Sequence, residues 1–204
     1  MVNIDKVDGV ILVAGMERSV INAFNAVSVP ILLVDYVIED RDIVSIMPDA
    51  FEGAYMVAKH LVELGYKAIG FVGGLPEHPS IRARYRGFVV ALVEAGIGIR
   101  KEWVIRDEDF TDFDHGYSAG KKILMESERP QAIVAANDVM ALGVIRACDE
   151  MSLRIPNDIA VVGYDNIEYG AYSNPPLTTV NVNKEKLGEV AVQRLLQMID
   201  NKEL

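Results

Sequence analysis

The chain has 204 residues, half of them apolar, with 30 acidic against 20 basic side chains and a formal net charge of -10. That length holds one large domain or two small α/β lobes, and the acidic excess makes the chain by itself a poor partner for DNA or an anionic membrane. The single cysteine, Cys148, excludes an internal disulfide framework and reads as a small hydrophobe inside an apolar helix.

No run reaches the roughly 18 continuous apolar residues of a membrane span. Met1-Val2-Asn3-Ile4-Asp5 lacks the basic start and apolar run of a signal peptide, so a cytoplasmic location is expected.

In chain order, short apolar runs alternate with helix-period stretches. Gly9–Ala14 reads as a strand and is followed by a weak helix over Ser19–Ala26. Pro30–Val34 and Ile43–Met47 are the next two strands. A helix then places Phe51, Ala54, Tyr55, Ala58, Leu61 and Val62 on one face, with Lys59 and Glu63 as an exposed pair. Asp49-Ala50-Phe51-Glu52 starts it as a capping box, and Gly65 ends it.

The strand Ala68–Val72 leads to a helix over Ser80–Ala95, with Tyr85, Phe88, Val89 and Leu92 facing inward. Trp103–Ile105 is a strand, and His115–Glu126 a helix ahead of Pro130. The strand Ala132–Ala135 and a helix over Val139–Met151 follow, with Pro156 stopping any continuation. Ile159–Val162 and Leu177–Val180 are the last strands, and Asn183 caps a final helix over Lys184–Ile199. Several of these runs read as strands buried on both faces. The alternation predicts a doubly wound α/β fold with right-handed crossovers, and Tyr36–Asp42 and Pro175-Pro176 read as seams.

In open parallel sheets, ligands sit at the carboxyl ends of the strands. The residues expected there are Gly15-Met16-Glu17-Arg18, Asp35-Tyr36, Gly73-Gly74 with the loop to Arg82 and Arg84, Phe110 and Phe113, Asn137-Asp138, and Gly163-Tyr164-Asp165. Polar, aromatic and glycine residues thus gather at one sheet edge, as a small-molecule site requires. Each also has a purely structural reading. Asp138 reads as the cap of the helix starting at Val139, and Asn137 as loop chemistry or a ligand contact. Asp35 and Asp165 are turn residues or hydrogen-bond acceptors. Tyr36, Phe110 and Phe113 are packing or aromatic walls. Arg84 lies in the first turns of its helix, where the macrodipole disfavours a cation, and on or beside the inner face; it is a solvated arginine or a functional one.

Other chemistries lack support. There is no phosphate loop, no G-x-G-x-x-G and no G-x-S-x-G elbow, the string Gly116-Tyr117-Ser118-Ala119-Gly120 falling inside an expected helix and not at a strand-to-helix turn. His60, His78 and His115 have no metal-ligand spacing, and no nucleophile–base pair can be assembled. Neither catalytic residues nor a metal nor a cofactor is expected.

Taken in order, eight pieces resemble the LacI/GalR family of transcription regulators and its relatives, the periplasmic sugar-binding proteins. They are Val7–Ile11, Pro30–Asp35, Asp49–Ala54, His60–Tyr66, Arg84–Phe88, Ala136–Gly143, Ile155–Asp165 and Pro176–Val180. The stretches around Asn137 and Asp165, with Pro176-Leu177-Thr178-Thr179, favour the repressor branch.

The resemblance implies a two-lobe periplasmic-binding-protein-like fold with the effector in the cleft between the lobes. Residues 1–47 and 180–204 would form a partial N-terminal lobe and 48–179 the C-terminal lobe, with crossovers near Met47-Pro48 and Thr179-Val180. The family's effector contacts map onto Arg84, Asn137 and Asp165, onto Asp35 and Tyr36 in the first lobe, and onto an aromatic wall near Phe110. The implied function is sensing of a small polar metabolite, a sugar or nucleoside-like compound, to control operator DNA affinity in a homodimer. DNA contact would come only through an N-terminal headpiece. The family pattern also has a headpiece, a hinge, two βα units before Gly9 and a third crossover, none of which this sequence contains. An incomplete first lobe is therefore expected, with Gly9–Ala14 as an apolar sheet edge. The alternatives are a periplasmic sugar-binding protein of a transport system, which an upstream signal peptide would support, and a Rossmann-like enzyme, which turnover would support.

Overall fold

The computed structural model describes residues 7–13, 29–38, 43–75, 78–108 and 110–201. Its contacts fall into two compact units, Met1–Pro48 with Asn183–Leu204, and Asp49–Val182. The expected helix at Ser19–Ala26, the loop Gly15–Arg18 and part of the seam Tyr36–Asp42 lie outside the described residues.

The first unit holds strands β1 (Val10–Val13), β2 (Ile31–Val34) and β3 (Val44–Ile46), all parallel and in the order β1-β2-β3. Successive side chains of a strand point to opposite faces, and β2 divides accordingly. Ile31 and Leu33 join Leu12 and Ile38 on one face. Leu32 and Val34 pack on the other against Ala191 and Met198 of the final helix, Lys184–Asn201. Asn183 caps that helix, accepting the Lys186 N–H at 2.9 Å. Among the described residues β1 has a strand on one side only, as expected, and Val13 is exposed.

The second unit contains β4 (Ile69–Gly74), β5 (Val104–Glu108), β6 (Ala132–Ala135), β7 (Ala160–Tyr164) and β8 (Thr178–Val180). All pair in parallel, in the order β5-β4-β6-β7-β8. The helices are α1 (Ala50–Glu63), α2 (Pro79–Glu94), α3 (Phe113–Leu124), α4 (Asp138–Glu150) and the single turn α5 (Glu168–Ala171); the final helix of the first unit is α6.

The inner strands are buried on both faces, so their sequences are continuously apolar. Ala132, Val134, Ala160 and Val162 face a core built with Leu61, Phe88 and Leu92 of α1 and α2. Ile133, Ala135 and Val161 face a second core built with Ile123, Leu124, Met140 and Val144 of α3 and α4. Each fully buried Leu, Ile or Phe contributes about 1.5–3 kcal/mol, and the two clusters together hold the sheet from both sides.

Close helix pairing depends on missing side chains. A Cβ at Gly87 of α2 would meet the Phe51 carbonyl of α1, and one at Gly143 of α4 would meet the Phe113 carbonyl of α3.

The boundaries differ from the sequence reading at several places, and three of the differences have a local cause. β4 continues through Gly74, because a Gly73 without a side chain leaves room for the Phe71 ring. Trp103 lies in a 3-10 turn (Lys101–Trp103), its indole N–H donating to Glu128 O at 2.8 Å, and the strand begins after it. Helix α3 starts two residues early, at Phe113, because Asp112 caps it by accepting the His115 N–H at 3.0 Å.

Candidate functional site

The chain leaves β4 toward β5 on one side and returns as β6 on the other, so the strand order switches beside β4. Such a point, outside the carboxyl ends of the strands, is where open parallel sheets bind ligands. Arg84 stands there, on the helix that follows β4. Its Nη1 donates to Ala136 O, just beyond β6, at 2.5 Å. Its Nη2 donates to Asp165 Oδ1, just beyond β7, at 3.1 Å. One guanidinium therefore ties together groups from the ends of β6 and β7.

The Arg84 side chain is 8% exposed and that of Asp165 31% exposed. The guanidinium carbon lies 3.8 Å from the centre of the Tyr164 ring, a stacking worth about 2 kcal/mol when desolvated. Tyr164 in turn donates its hydroxyl to Asp49 O at 3.3 Å. The Arg84 Nε is buried and has no hydrogen-bond partner among the described residues. A buried donor left unmade costs about 1–3 kcal/mol, so Arg84 holds a donor that none of the described residues uses, beside a carboxylate partly open to solvent.

Asn137 is the N-cap of α4: its Oδ1 accepts the Met140 N–H at 2.8 Å, and its Nδ2 donates to Thr111 O at 2.8 Å. This corrects the assignment of the cap to Asp138. Both residue types cap well, but Asn137 has the extended backbone a cap needs, φ -148 and ψ 170. Asp138 is the first helical residue and fully buried; it accepts from Thr179 Oγ1 and the Ile167 N–H.

The Thr111 bond anchors the segment carrying Phe110 beside Asn137. Phe110 is 64% exposed, its ring 5.5 Å from that of His115, and Phe113 is 39% exposed. Hydrogen bonds from the His115 backbone and ring hold the Asp112 carboxyl below its usual range.

In the first unit, Asp35 follows β2 with φ 57, donates its N–H to Ile46 O at 2.9 Å, and is exposed. Tyr36 is half-buried against the cluster of Leu12, Leu33 and Ile38.

The structure thus brings Arg84 and Asp165 into contact and engages both ends of the Asn137 amide within the protein. Sequence reasoning gave no role to Tyr164, to the Ala136 carbonyl or to Thr179. The position of Tyr164 next to Asp165 was the only local sign, and its stacking partner comes from α2, far along the chain.

Among the described residues no group of three His, Cys, Asp or Glu side chains could hold a metal ion, and no helix is long and apolar enough to cross a membrane.

The periplasmic binding protein-like domain family matches residues 58–204. The HTH-type transcriptional repressor PurR of Pectobacterium atrosepticum is 41% identical over 176 residues, covering 86% of this chain and 51% of that protein. The chain spans about half the length of these curated relatives. A transcription regulator from Lactobacillus plantarum superposes with a TM-score of 0.86 at 25% identity, over 97% of this chain and 75% of that one. A LacI family transcriptional regulator from Mycobacterium smegmatis does so with a TM-score of 0.83 at 26% identity, over 96% and 71%.

Proposed function

The chain belongs to the periplasmic binding protein-like family, in its LacI/GalR-type branch, and on that premise we propose that it senses a small, neutral, polyhydroxylated metabolite, a sugar or nucleoside-like compound, and thereby controls operator DNA affinity. The carrying observation is the buried Arg84, whose Nε–H is unused among the described residues, beside the partly exposed carboxylate of Asp165. Their pairing leaves that couple without net charge. A ligand hydroxyl can accept from Arg84 and donate to Asp165, whereas a phosphate would face the carboxylate. Asp35 is proposed as a further acceptor, and Tyr36 and Phe110 as aromatic contacts. Asn137 holds the Phe110 segment and is proposed to touch the ligand beside it. Residues 1–47 with 180–204, and 48–179, are the proposed lobes.

A ligand favours whichever conformation it binds better, and that differential affinity would be passed to DNA through a headpiece. The named relatives are transcription regulators, which favours this reading over transport. The complete protein is proposed to be a homodimer, since a two-fold operator needs a two-fold reader.

Thermal-shift screening of neutral monosaccharides and nucleosides, followed by calorimetric titration, tests the site. Arg84→Ala and Asp165→Ala should each weaken binding by about 2 kcal/mol, roughly thirtyfold. Affinities within threefold of wild type for both variants would sink the assignment.

A further inference from the structure

We propose that Asp138 and Thr179 form a buried brace that holds the Asp165 turn in shape, making both of them positioning residues for the site above, on whose ligand role for Asp165 this inference rests. Asp165 and Asn166 are consecutive non-glycine residues in the left-handed region, with φ of 107 and 49. L-residues visit that region reluctantly, and such a pair persists only where its surroundings over-determine it.

The surroundings here can be read bond by bond. Three successive N–H groups of the turn each find an acceptor. Asp165 N–H donates to Val180 O at 3.0 Å. Asn166 N–H donates to Thr179 Oγ1 at 3.3 Å, and Ile167 N–H to Asp138 Oδ2 at 2.8 Å. Thr179 spends its own proton on Asp138 Oδ1, at 2.5 Å, which leaves its oxygen free to accept from Asn166. Two of the three acceptors are therefore side chains, one from the start of α4 and one from β8. Both are locked to each other.

Two further observations agree. Asp138 is fully buried at the first position of α4, where the helix macrodipole favours an anion. A Cβ at Gly163, two residues before Asp165, would land on the Asp138 carboxylate. The strand thus gives up a side chain where the brace passes. Asp138 acts through the turn: it holds Ile167 and Thr179, the turn holds Asp165, and Asp165 holds Nη2 of Arg84.

An asparagine at 138 has the same shape but presents one acceptor and an N–H₂ group, so either a donor meets the Ile167 N–H or the Thr179 proton must leave residue 138 for the longer contact to Val180 O at 3.5 Å. Thr179→Val removes the hydroxyl at constant shape, and Thr179→Ser restores it. The test uses the whole chain without any ligand. Nuclear magnetic resonance would follow amide exchange at Asn166 and Ile167 together with the side-chain signals of Arg84. In Asp138→Asn and Thr179→Val, exchange at both amides should accelerate at least tenfold, and separate Arg84 Nη signals should merge as the guanidinium is freed. In Thr179→Ser both readouts should stay within threefold of wild type, and amides of β4 should be unchanged in all three variants. If Asp138→Asn destabilises the fold, Thr179→Val with its serine control carries the test alone. Exchange within threefold of wild type at Asn166 and Ile167, or an Arg84 spectrum indifferent to the brace, overturns the proposal. Failure of the brace shows in the ligand-free protein, whereas failure of Asp165 as a ligand contact shows only in the titrations, so the two are separable.

Discussion

The turn after β2 and the turn after β7 have similar backbones and very different surroundings. In each, an aspartate with positive φ follows an inner parallel strand and donates its N–H to a carbonyl at the end of the next strand, Asp35 to Ile46 and Asp165 to Val180. Asp35 is exposed, and its carboxylate has no partner among the described residues. Asp165 pairs with a buried arginine and sits on side-chain acceptors from two other elements. Two residues earlier the contrast is sharper: Leu33 fills an apolar cluster in the first unit, whereas Gly163 makes room for Asp138 in the second. A local turn conformation is thus common to both strands, and what makes one of them an electrostatic site is supplied from far along the chain.

The comparison breaks first at Gly163. Gly163→Leu, which copies the first unit's residue, should force Asp138 aside and destabilise the second unit by about 3 kcal/mol, the upper range for overpacking. Thermal unfolding reads this, and a midpoint within a degree of wild type would mean that the carboxylate yields at no cost.

Next come the aspartates themselves. Asp165→Ala leaves Arg84 with an unmet partner and should cost about 1–2 kcal/mol, moderated because the carboxylate is partly exposed. Asp35→Ala should stay within about 0.5 kcal/mol, as a surface change does. Equal losses in denaturant titrations would erase the distinction between the turns.

Glycine sharpens it through sign. Asp35→Gly relieves a left-handed residue and should stabilise by about 0.5 kcal/mol, while Asp165→Gly should still show a net loss. Stabilisation by both would leave the Arg84 pair without energetic weight.

The smallest effect concerns the reporter. Cys148 is the only cysteine, lies fully buried in the second unit, and burial pushes its thiol up to about 12. Its labelling by a thiol reagent at pH 8 should therefore track opening of that unit, speeding up for Asp165→Ala and not for Asp35→Ala. Because the folded thiol titrates above the unfolded one, this contribution to stability is complete below the ordinary thiol range and fades as pH rises toward 12. Rapid labelling of the native protein at pH 8 would show that Cys148 is reached without opening.

Period and punctuation make most of the fold legible in the sequence. Leu32 and Leu33 of β2, or Ile133 and Val134 of β6, are apolar on both faces because both faces are covered, and that pattern needs no tertiary knowledge. The site is legible only as a set of residue types at strand ends. Arg84 draws notice because a cation opening a helix is unfavourable, yet its acceptor on Ala136 is a backbone atom 52 residues away. Asn137 and Asp138 show where local reasoning stops: either could cap α4, and backbone geometry gives the cap to the first and burial to the second.

The first unit is assembled from segments on either side of the second, and this sets a schedule for its synthesis. Leu32 and Val34 on β2 emerge before the second unit, but Ala191 and Met198 of α6, which cover them, emerge only after it. The second unit is continuous from Asp49 to Val182 and can close while translation is still under way. Throughout that interval one face of the β1–β3 sheet stands uncovered, a long-range debt of the kind that slows folding and invites association. A ribosome stalled before Lys184 should therefore carry a protected second unit and a protease-sensitive β2.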